Sequence, residues 1–451
     1  MNREEWQAFL TLWSEEWVRG HDPESDAPLD ADVVRSGWLG FAPAGADEIA
    51  EAEARLGRPL PPSLRSFLLT TDGWRDAGCF IYRIAGTSEL DWLADTDDAH
   101  WIEVYDELAE DDEDDEDEDD EDDDEAEDGR GDEEQFRSAA DEAAILRRSL
   151  RVSLEGDAAV LLLDPDDVDE RGEWAGYWLS SWSGEGPERF DSFHALMRDQ
   201  YVSFHGLRRP AGTTRDHWDA EVDRARLALL TGEIDAPMEV LKEASAFGRG
   251  RADLLRLQVL GMLGDWQTVP LDRVVRPSRD GVGFEQDPLF AAELLPLIFA
   301  EGRLTGRGES FAKRRVLEHG PANVQALIAG FADRSGAPGF RLTFGNPEFD
   351  AAVHSLLAGL TAHPAFGVPD PFEGTEPSVG VDGALVEEFE EARRIQRRLI
   401  DTTWPELREA ITLWRPVSEH HVAPVVLRAD PVLAEMITEE RGREILSMRR
   451  G

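Results

Sequence analysis

The first strong pattern along the chain is a stripe of apolar residues near its N-terminus. Trp6, Phe9, Leu10, Trp13 and Trp17 recur at intervals of three and four residues, with polar residues between them. Side chains at this spacing share one face of an α-helix. The pattern predicts an amphipathic first helix whose aromatic stripe packs into a core.

Residues 46–74 predict two further helices joined by a proline-containing link. We expect Asp47 to be the N-cap of the first helix and Gly57 to end it. Pro62 stands where the first turn of a helix tolerates proline. The apolar faces of the two helices consist of Ile49, Ala52, Leu56, Leu64, Phe67 and Leu68.

Strand patterns follow. Residues 79–86 predict one strand, and 149–165 predict two strands that form a hairpin at Gly156 and Asp157, because a dipeptide of this type between apolar runs favours a tight turn. Residues 173–182 predict another strand. Even spacing places three tryptophans on one face of it, namely Trp174, Trp178 and Trp182.

A closing helix is predicted after the strands. Ser192 is its expected N-cap, and Phe193, Leu196 and Met197 form its apolar face. The order of helices, antiparallel strands and a final helix predicts an α+β domain over residues 1–205.

An uninterrupted acidic run, EDDEDDEDEDDEDDDE, occupies residues 110–125. It lies between the strand predicted at 79–86 and the one predicted at 149–154. Sixteen like charges cannot pack together, and such blocks are normally disordered. We therefore predict that residues 110–128 are a disordered acidic insertion in a loop of the α+β domain.

The chain changes character after a linker at 205–216. Residues 206–330 predict a helical region, in which LLTGEIDAPMEVLKEA resembles a helical-hairpin repeat, although no 34-residue period follows. Residues 331–451 predict a C-terminal helical region with one long helix, ALVEEFEEARRIQRRLIDTTW. The whole chain is thus expected to be an α+β domain followed by mostly helical structure.

Charge narrows the range of partners. The 451 residues carry a net charge of −50, of which the acidic residues at 110–128 supply only 18. So acidic a chain repels the phosphate backbone of nucleic acids and the anionic surface of membranes. It would attract a basic protein. A large net charge also keeps a protein soluble and prevents self-association, so it does not by itself establish that a partner exists.

Other features of composition point to the compartment. Cys79 is the only cysteine, which excludes an internal disulfide and fits a reducing cytoplasm. The N-terminal segment lacks the apolar region of a signal peptide, and residues 289–302 are too short to span a bilayer. Two lysines against forty-four arginines are typical of a GC-rich bacterial genome.

Four local patterns stand out in residues 40–200. They are the helix pair with its Leu60–Pro61 link, the Asp72–Gly73 turn, the Gly156–Asp157 turn running into Leu161–Leu163, and Glu173–Trp174 leading to Trp182, then Arg189–Phe190 and Ser192–Phe193. Together they make this segment resemble the SUKH superfamily, which includes the Smi/Knr-type proteins. The acidic run is a departure from the family pattern. The C-terminal residues have no counterpart in the minimal domain.

The resemblance implies a binding fold without catalytic residues. Its bacterial members look mostly like immunity proteins that neutralise toxins, many of them nucleases, and its fungal members act as interaction hubs in cell-wall signalling. A basic toxin is therefore the partner that the resemblance and the charge together favour.

Motifs for catalysis or cofactors do not emerge. Neither lysine belongs to a Walker A loop, and HExxH and GxSxG patterns do not occur. Residues 124–135 fail as a calcium loop at Ala126 and Gln135. We expect Cys79 to be an inert thiol within a strand, and the neighbours His420 and His421 not to converge on a metal. We predict no cofactor and no enzymatic activity.

These observations leave three hypotheses. The first is a cytoplasmic immunity protein that masks a basic toxin, with no nucleic-acid or membrane partner. The second is an intracellular scaffold that binds through the helical C-terminal half. The third is a hydrolase within that half. The oligomeric state stays open. For the first hypothesis the predicted partner-binding residues are Glu110, Asp111, Asp112, Glu113, Asp114, Asp115, Glu116, Asp117, Glu118, Asp119, Asp120 and Glu121.

Overall fold

A computed structural model describes residues 1–116, 137–184, 186–275, 289–372 and 382–450, with the backbone alone for 111–116. The described chain divides into two compact units, Met1–Arg215 and Asp216–Gly451.

The first unit combines helices with antiparallel strands, so the predicted α+β class is confirmed. Its helices are α1 (Arg3–Gly20), α2 (Ala31–Ser36), α3 (Ala46–Leu56), α4 (Pro62–Leu68), α5 (His100–Glu116), α6 (Ala139–Arg148) and α7 (Phe193–Arg208). Its strands are β1 (Trp74–Arg75), β2 (Ile81–Ile84), β3 (Asp91–Trp92), β4 (Leu150–Arg151), β5 (Ser153–Gly156), β6 (Ala159–Val168), β7 (Trp174–Ser180) and β8 (Glu188–Phe190).

The N-terminal helices match the apolar pattern. Trp6, Leu10 and Trp13 on α1 are fully buried, and Asn2 caps the helix by accepting hydrogen bonds from two backbone N–H groups. Gly57 ends α3 in the left-handed conformation, as predicted.

The N-cap of α3 is Gly45, and the prediction of Asp47 was wrong. The side chain of Glu48 accepts the Gly45 N–H at 2.6 Å, so the helix begins two residues earlier. Asp47 instead lies in the first turn, where a negative charge interacts favourably with the helix dipole.

The strands form two sheets, ordered β1-β2-β5 and β3-β4-β6-β7-β8. The chain turns at Gly156 and Asp157 as predicted, but the strand before the turn is divided into β4 and β5, which have different partners. Leu150 on β4 pairs with β6, whereas β5 pairs with β2 in the other sheet. The Ser153 hydroxyl accepts the Leu161 N–H at 2.9 Å and replaces a backbone partner where the strands diverge. The predicted hairpin is therefore confirmed where Leu150 and Arg151 pair with Leu163 and Leu162, and it was wrong nearer the turn, where β5 pairs with β2 instead.

The end of β7 also differs from the prediction. The strand stops at Ser180, so Trp182 lies beyond it and is half exposed. The ring of Trp182 packs on Phe80 with their centroids 5.0 Å apart. The closing helix α7 is confirmed, because the Ser192 hydroxyl accepts the Ala195 N–H and Phe193, Leu196 and Met197 are buried.

The second unit is helical in the parts that are described. Its helices are α8 (Thr213–Thr231), α9 (Asp235–Ala246), α10 (Gly250–Leu263), α11 (Leu271–Val275), α12 (Leu295–Thr305), α13 (Phe311–His319), α14 (Ala322–Ser335), α15 (Pro347–Thr361), α16 (Gly383–Ile411), α17 (Pro431–Met436) and α18 (Glu439–Ser447). A π-helical stretch, Phe290–Leu294, leads into α12. The long helix predicted from the sequence is α16.

Close packing in the second unit requires glycine between α8 and α9. Gly232 has a φ of 101°, and a Cβ there would lie 2.3 Å from the carbonyl oxygen of Ser447. This is the turn that the sequence predicted within LLTGEIDAPMEVLKEA. The presence of a true repeat stays a prediction.

Candidate functional site

A groove of about 790 Å³ opens in the first unit between α5 and the strands β5 and β6. The first turns of α5 build one wall. Trp101, Ile102 and Tyr105 face inward and pack in a core with residues of α6, β6 and β7. The next face of the same helix carries Val104 and Leu108, which line the groove and are 43% and 47% exposed. The spacing of four residues places both on one stripe.

The opposite wall comes from strand residues and the turn that joins β5 to β6. Leu154, Gly156 and Ala158 line it, together with Tyr82, whose side chain is 46% exposed. Gly156 is needed for close packing, since a Cβ there would lie 2.5 Å from the carbonyl oxygen of Ala159. The groove therefore combines apolar and aromatic surface that stays in contact with water.

Carboxylates also line the groove. They are Asp98, Glu142 and Glu155, and no lysine or arginine is among the described lining residues. Asp98 accepts a hydrogen bond from Arg151 Nη1 at 2.5 Å, so its charge is compensated within the chain. Glu155 is exposed. The groove as a whole favours a cationic occupant.

Glu142 on α6 has a different environment. It is half-buried near Tyr105, and a Cβ on Gly186 would clash with its carboxylate. Burial raises the pKa of Glu142, while the positive charge of Arg137 acts in the opposite direction. Burial, with a smaller contribution from the charge of Glu142, raises the pKa of Tyr105 to about 12. Both groups thus lie in a poorly hydrated part of the groove.

The acidic run begins at the end of the same wall. Helix α5 continues through its first seven residues, Glu110–Glu116, so the expected insertion does not start as a loop at residue 110. A helix already nucleated by buried residues can be extended without a second nucleation step, even though the like charges of the run oppose the extension. Glu110 is exposed.

The other predicted partner-binding residues are only partly described. Asp111, Asp112, Glu113, Asp114, Asp115 and Glu116 lie in α5 with their backbone alone described. Asp117, Glu118, Asp119, Asp120 and Glu121 lie outside the described residues, as do the rejected calcium loop at 124–135 and the rest of the expected insertion.

The histidine pair of the second unit lies in its interior. His421 Nε2 is 3.1 Å from Glu293 Oε1, and both side chains are buried. His420 Nε2 lies 3.9 Å from the neighbouring Glu419. Across the described ranges, no cluster of histidine, cysteine and carboxylate side chains could hold a metal ion.

Cys79 does not lie within a strand, as the sequence had predicted. It lies in a bend two residues before β2 and is half-buried beside Arg208, because Gly78 (φ 103°) turns the backbone there. Burial raises the pKa of the thiol, and a hydrogen bond from Arg208 offsets part of this effect. A raised pKa disfavours the reactive thiolate.

None of the helices in the described residues is both long enough and apolar enough to cross a bilayer.

The groove was not predicted from the sequence, although the sequence contains a pattern that indicates it. The segment WIEVYDEL carries Val104 and Leu108 four residues apart, on a stripe adjacent to the buried one. An apolar stripe of this width exceeds what one core-facing side of a short helix needs. The position of this stripe directly before a charged run could have indicated a binding surface.

Comparison with known proteins identifies the domain that carries the groove. Residues 43–199 match the model of the SMI1 / KNR4 family (SUKH-1). All the groove residues named above fall within this range. Neither a search of curated proteins nor a search of solved structures found a match.

Proposed function

We propose a protein-binding function for this chain, which belongs to the SUKH superfamily through its residues 43–199. The family is generally non-catalytic and includes proteins that resemble immunity proteins. The specific proposal is an immunity protein of the cytoplasm that neutralises a basic toxin by covering it in a one-to-one complex.

One observation carries the proposal. The SUKH-1 domain has a groove with exposed apolar side chains, no lysine or arginine among its described lining residues, and a wall that continues into the acidic run. Exposed apolar surface bordered by charge is typical of protein interfaces. Tyr82, Val104 and Leu108 would supply apolar contact area that a partner removes from water. Tyrosine is enriched among the residues that dominate the energy of binding, so Tyr82 would be the main anchor of the three.

The acidic run would act at longer range. Residues 110–121 would attract a basic partner and raise the rate of encounter without forming the central contact. If the toxin is a nuclease, the run would also lie in its phosphate-binding groove as a polyanion mimic. An extended chain of sixteen residues reaches about 50 Å, enough to cross a small domain.

A scaffold function through the second unit is the alternative. A groove of about 710 Å³ between α15 and α16 supports it. Leu356, Leu360, Leu399 and Leu413 line this groove together with Glu406 and Glu409. Helical arrays commonly bind partners in such grooves. In this case the first unit would not be required for binding.

The test is an affinity purification from the native host with the full chain, followed by mass spectrometry. Val104→Asp and Leu108→Asp together would disrupt the SUKH-1 groove. Leu207→Asp is the matched control, because Leu207 is 45% exposed on α7 and does not line the groove. We expect one basic protein in stoichiometric amount with the unchanged chain and with the control, and its loss from the groove variant.

Immunity requires more than capture. The recovered protein must be toxic when expressed alone and harmless when expressed with the unchanged chain. Recovery of several housekeeping proteins, held equally by the groove variant, would contradict the proposal. If those proteins were lost instead after changes at Leu399 and Leu413, the scaffold alternative would be correct.

A further inference from the structure

The three carboxylates of the groove differ in how far their charges are compensated, and Glu142 is the least compensated of them. Asp98 already has Arg151 as its partner, and Glu155 is exposed to water. Across the described parts of the chain, no hydrogen bond or ion pair to the Glu142 carboxylate is found. The positive charge of Arg137 favours the ionised form of Glu142, but burial outweighs it, so this half-buried carboxylate without a direct partner is costly to keep ionised. A ligand that brings a cation removes this cost.

The surroundings of Glu142 limit which cation fits. The apolar surface of Val104, Leu108 and Tyr105 lies along the same groove. A hydrated metal ion or a small amine would leave this surface exposed. The side chain of arginine or lysine carries its charge on an aliphatic stem that can cover apolar surface while the charged end reaches a carboxylate. Neighbouring apolar side chains of the same segment would cover the rest.

We propose that the groove binds a protein segment in which one arginine or lysine stands between apolar side chains, and that this cation pairs with Glu142. The inference rests on the proposed protein-binding function and names the chemistry that the partner must present. The acidic run attracts any basic protein, whereas Glu142 selects a single cation at one position.

A guanidinium is the better match of the two cations. Its planar fork can donate two parallel hydrogen bonds to one carboxylate, and it is less strongly hydrated than an ammonium group. Gly186 lies close to the Glu142 carboxylate on one side, so a planar donor can approach from the open side of the groove.

The probe is a random library of twelve-residue peptides displayed on phage and selected on the full chain. Selected peptides are then synthesised and measured by isothermal titration calorimetry. Four proteins are compared, namely the unchanged chain, Glu142→Gln, Glu155→Gln and Leu108→Asp. Glu155→Gln is the matched control, because it removes one charge from the same groove at an exposed position.

The selected peptides should contain an arginine or lysine flanked by apolar residues. Glu142→Gln should raise the Kd about tenfold to hundredfold, the range for a hydrogen-bonded charge pair. Glu155→Gln should raise it less than about threefold. Citrulline is neutral and similar in shape to arginine. Replacing the peptide's arginine with citrulline should weaken binding to the unchanged chain as much as Glu142→Gln does. The same replacement should not weaken binding to the Glu142→Gln protein any further, because the charge pair is already lost there.

Three outcomes would overturn the inference. Equal losses with Glu142→Gln and Glu155→Gln would show a general charge effect. If the citrulline peptide bound as tightly as the arginine peptide, the groove would not recognise a cation. Selection of peptides that lack a cation, but whose binding is abolished by Leu108→Asp, would contradict the role of Glu142 and leave the binding function of the groove intact. If no selected peptide depends on Leu108, the groove function fails as well.

Discussion

The carboxylate of Glu16 on α1 lies 3.0 Å from Nε2 of His205 on α7, and the two side chains are 0% and 2% exposed. The same carboxylate accepts hydrogen bonds from the hydroxyl of Tyr201 at 2.5 Å and from the backbone N–H of Thr214 at 2.9 Å. One buried charge therefore joins α1, α7 and Thr214, which lies in the first turn of α8 and still belongs to the first unit. Several hydrogen bonds to one carboxylate are what make its burial tolerable.

Glu16→Gln should destabilise the first unit by about 3 kcal/mol at pH 7, because the amide cannot accept all of these hydrogen bonds. Burial acts to raise the pKa of Glu16, but the hydrogen bonds from His205, Tyr201 and Thr214 outweigh it and the pKa is lowered. The stabilisation is therefore present above the ordinary pKa of 4.5 and is lost as the pH falls through the folded-state value.

Urea unfolding at pH 7 and in acid would measure this effect. Glu15→Gln is the control, since Glu15 is the exposed neighbour on the same helix. A Glu16→Gln protein as stable as the control at pH 7 would show that the buried network contributes nothing to the fold.

Glu142→Gln should have the opposite effect on stability. Burial raises the pKa of Glu142, so its ionisation opposes folding at neutral pH. The favourable contribution of this group is complete below its ordinary pKa of 4.5 and is lost as the pH rises through the folded-state value. The substitution should therefore stabilise the first unit at pH 7, by no more than about 1 kcal/mol because half of the side chain stays in water.

Thermal unfolding at pH 7 and below pH 4.5 gives the measurement, with Glu155→Gln for comparison. The gain should disappear in acid. A loss of stability at pH 7 would mean that Glu142 already has a stabilising partner in the free protein, and its weakened peptide binding could not then be assigned to a missing charge.

Neutralising the acidic run should slow association more than it speeds dissociation. With residues 110–121 changed to asparagine and glutamine, kon for the basic partner should fall at least about tenfold at low salt, because electrostatic attraction accelerates encounter. The difference should vanish in 1 M salt, where charges are screened beyond about 3 Å. Surface plasmon resonance at several salt concentrations resolves both rates.

The groove variants provide the contrast. Val104→Asp and Leu108→Asp should mainly raise koff, because they remove short-range contact. An unchanged kon after neutralisation would contradict a steering role for the run. A large rise in koff instead would support the polyanion-mimic form of the proposal.

Arg450 stabilises the end of the second unit. Its buried guanidinium donates hydrogen bonds to the backbone carbonyl oxygens of Leu229, Val422 and Ile445 at 2.8, 3.0 and 2.6 Å. Burial lowers the pKa of Arg450 to about 10, which still leaves it charged at neutral pH.

Arg450→Ala should destabilise the second unit by about 3 kcal/mol, because it leaves several buried carbonyl groups without donors. Arg449→Ala changes the same residue type at an exposed neighbour and should have little effect. Differential scanning calorimetry would compare the two. Equal unfolding temperatures would show that water replaces the guanidinium in these hydrogen bonds.

Much of the fold was predictable from local pattern. The stripe from Trp6 to Trp17 identified α1, and the turn at Gly57 and the cap at Ser192 were correct. These features depend on neighbours within a few residues, so a single sequence contains the information. The hairpin about Gly156 was correct for the pairing of β4 with β6 but not for β5, which joins the other sheet, because no local pattern records which strand becomes a partner.

The sequence by itself determined the α+β character of the first domain, its resemblance to the SUKH superfamily and the strongly acidic charge that favours a basic partner. Only the tertiary structure decided that Val104 and Leu108 stay exposed and that Glu142 joins them in one groove. Periodicity tells which residues share a face of a helix, but not which faces other elements cover. Glu142 and Tyr105 come from helices separated by the acidic run, so only folding brings them together.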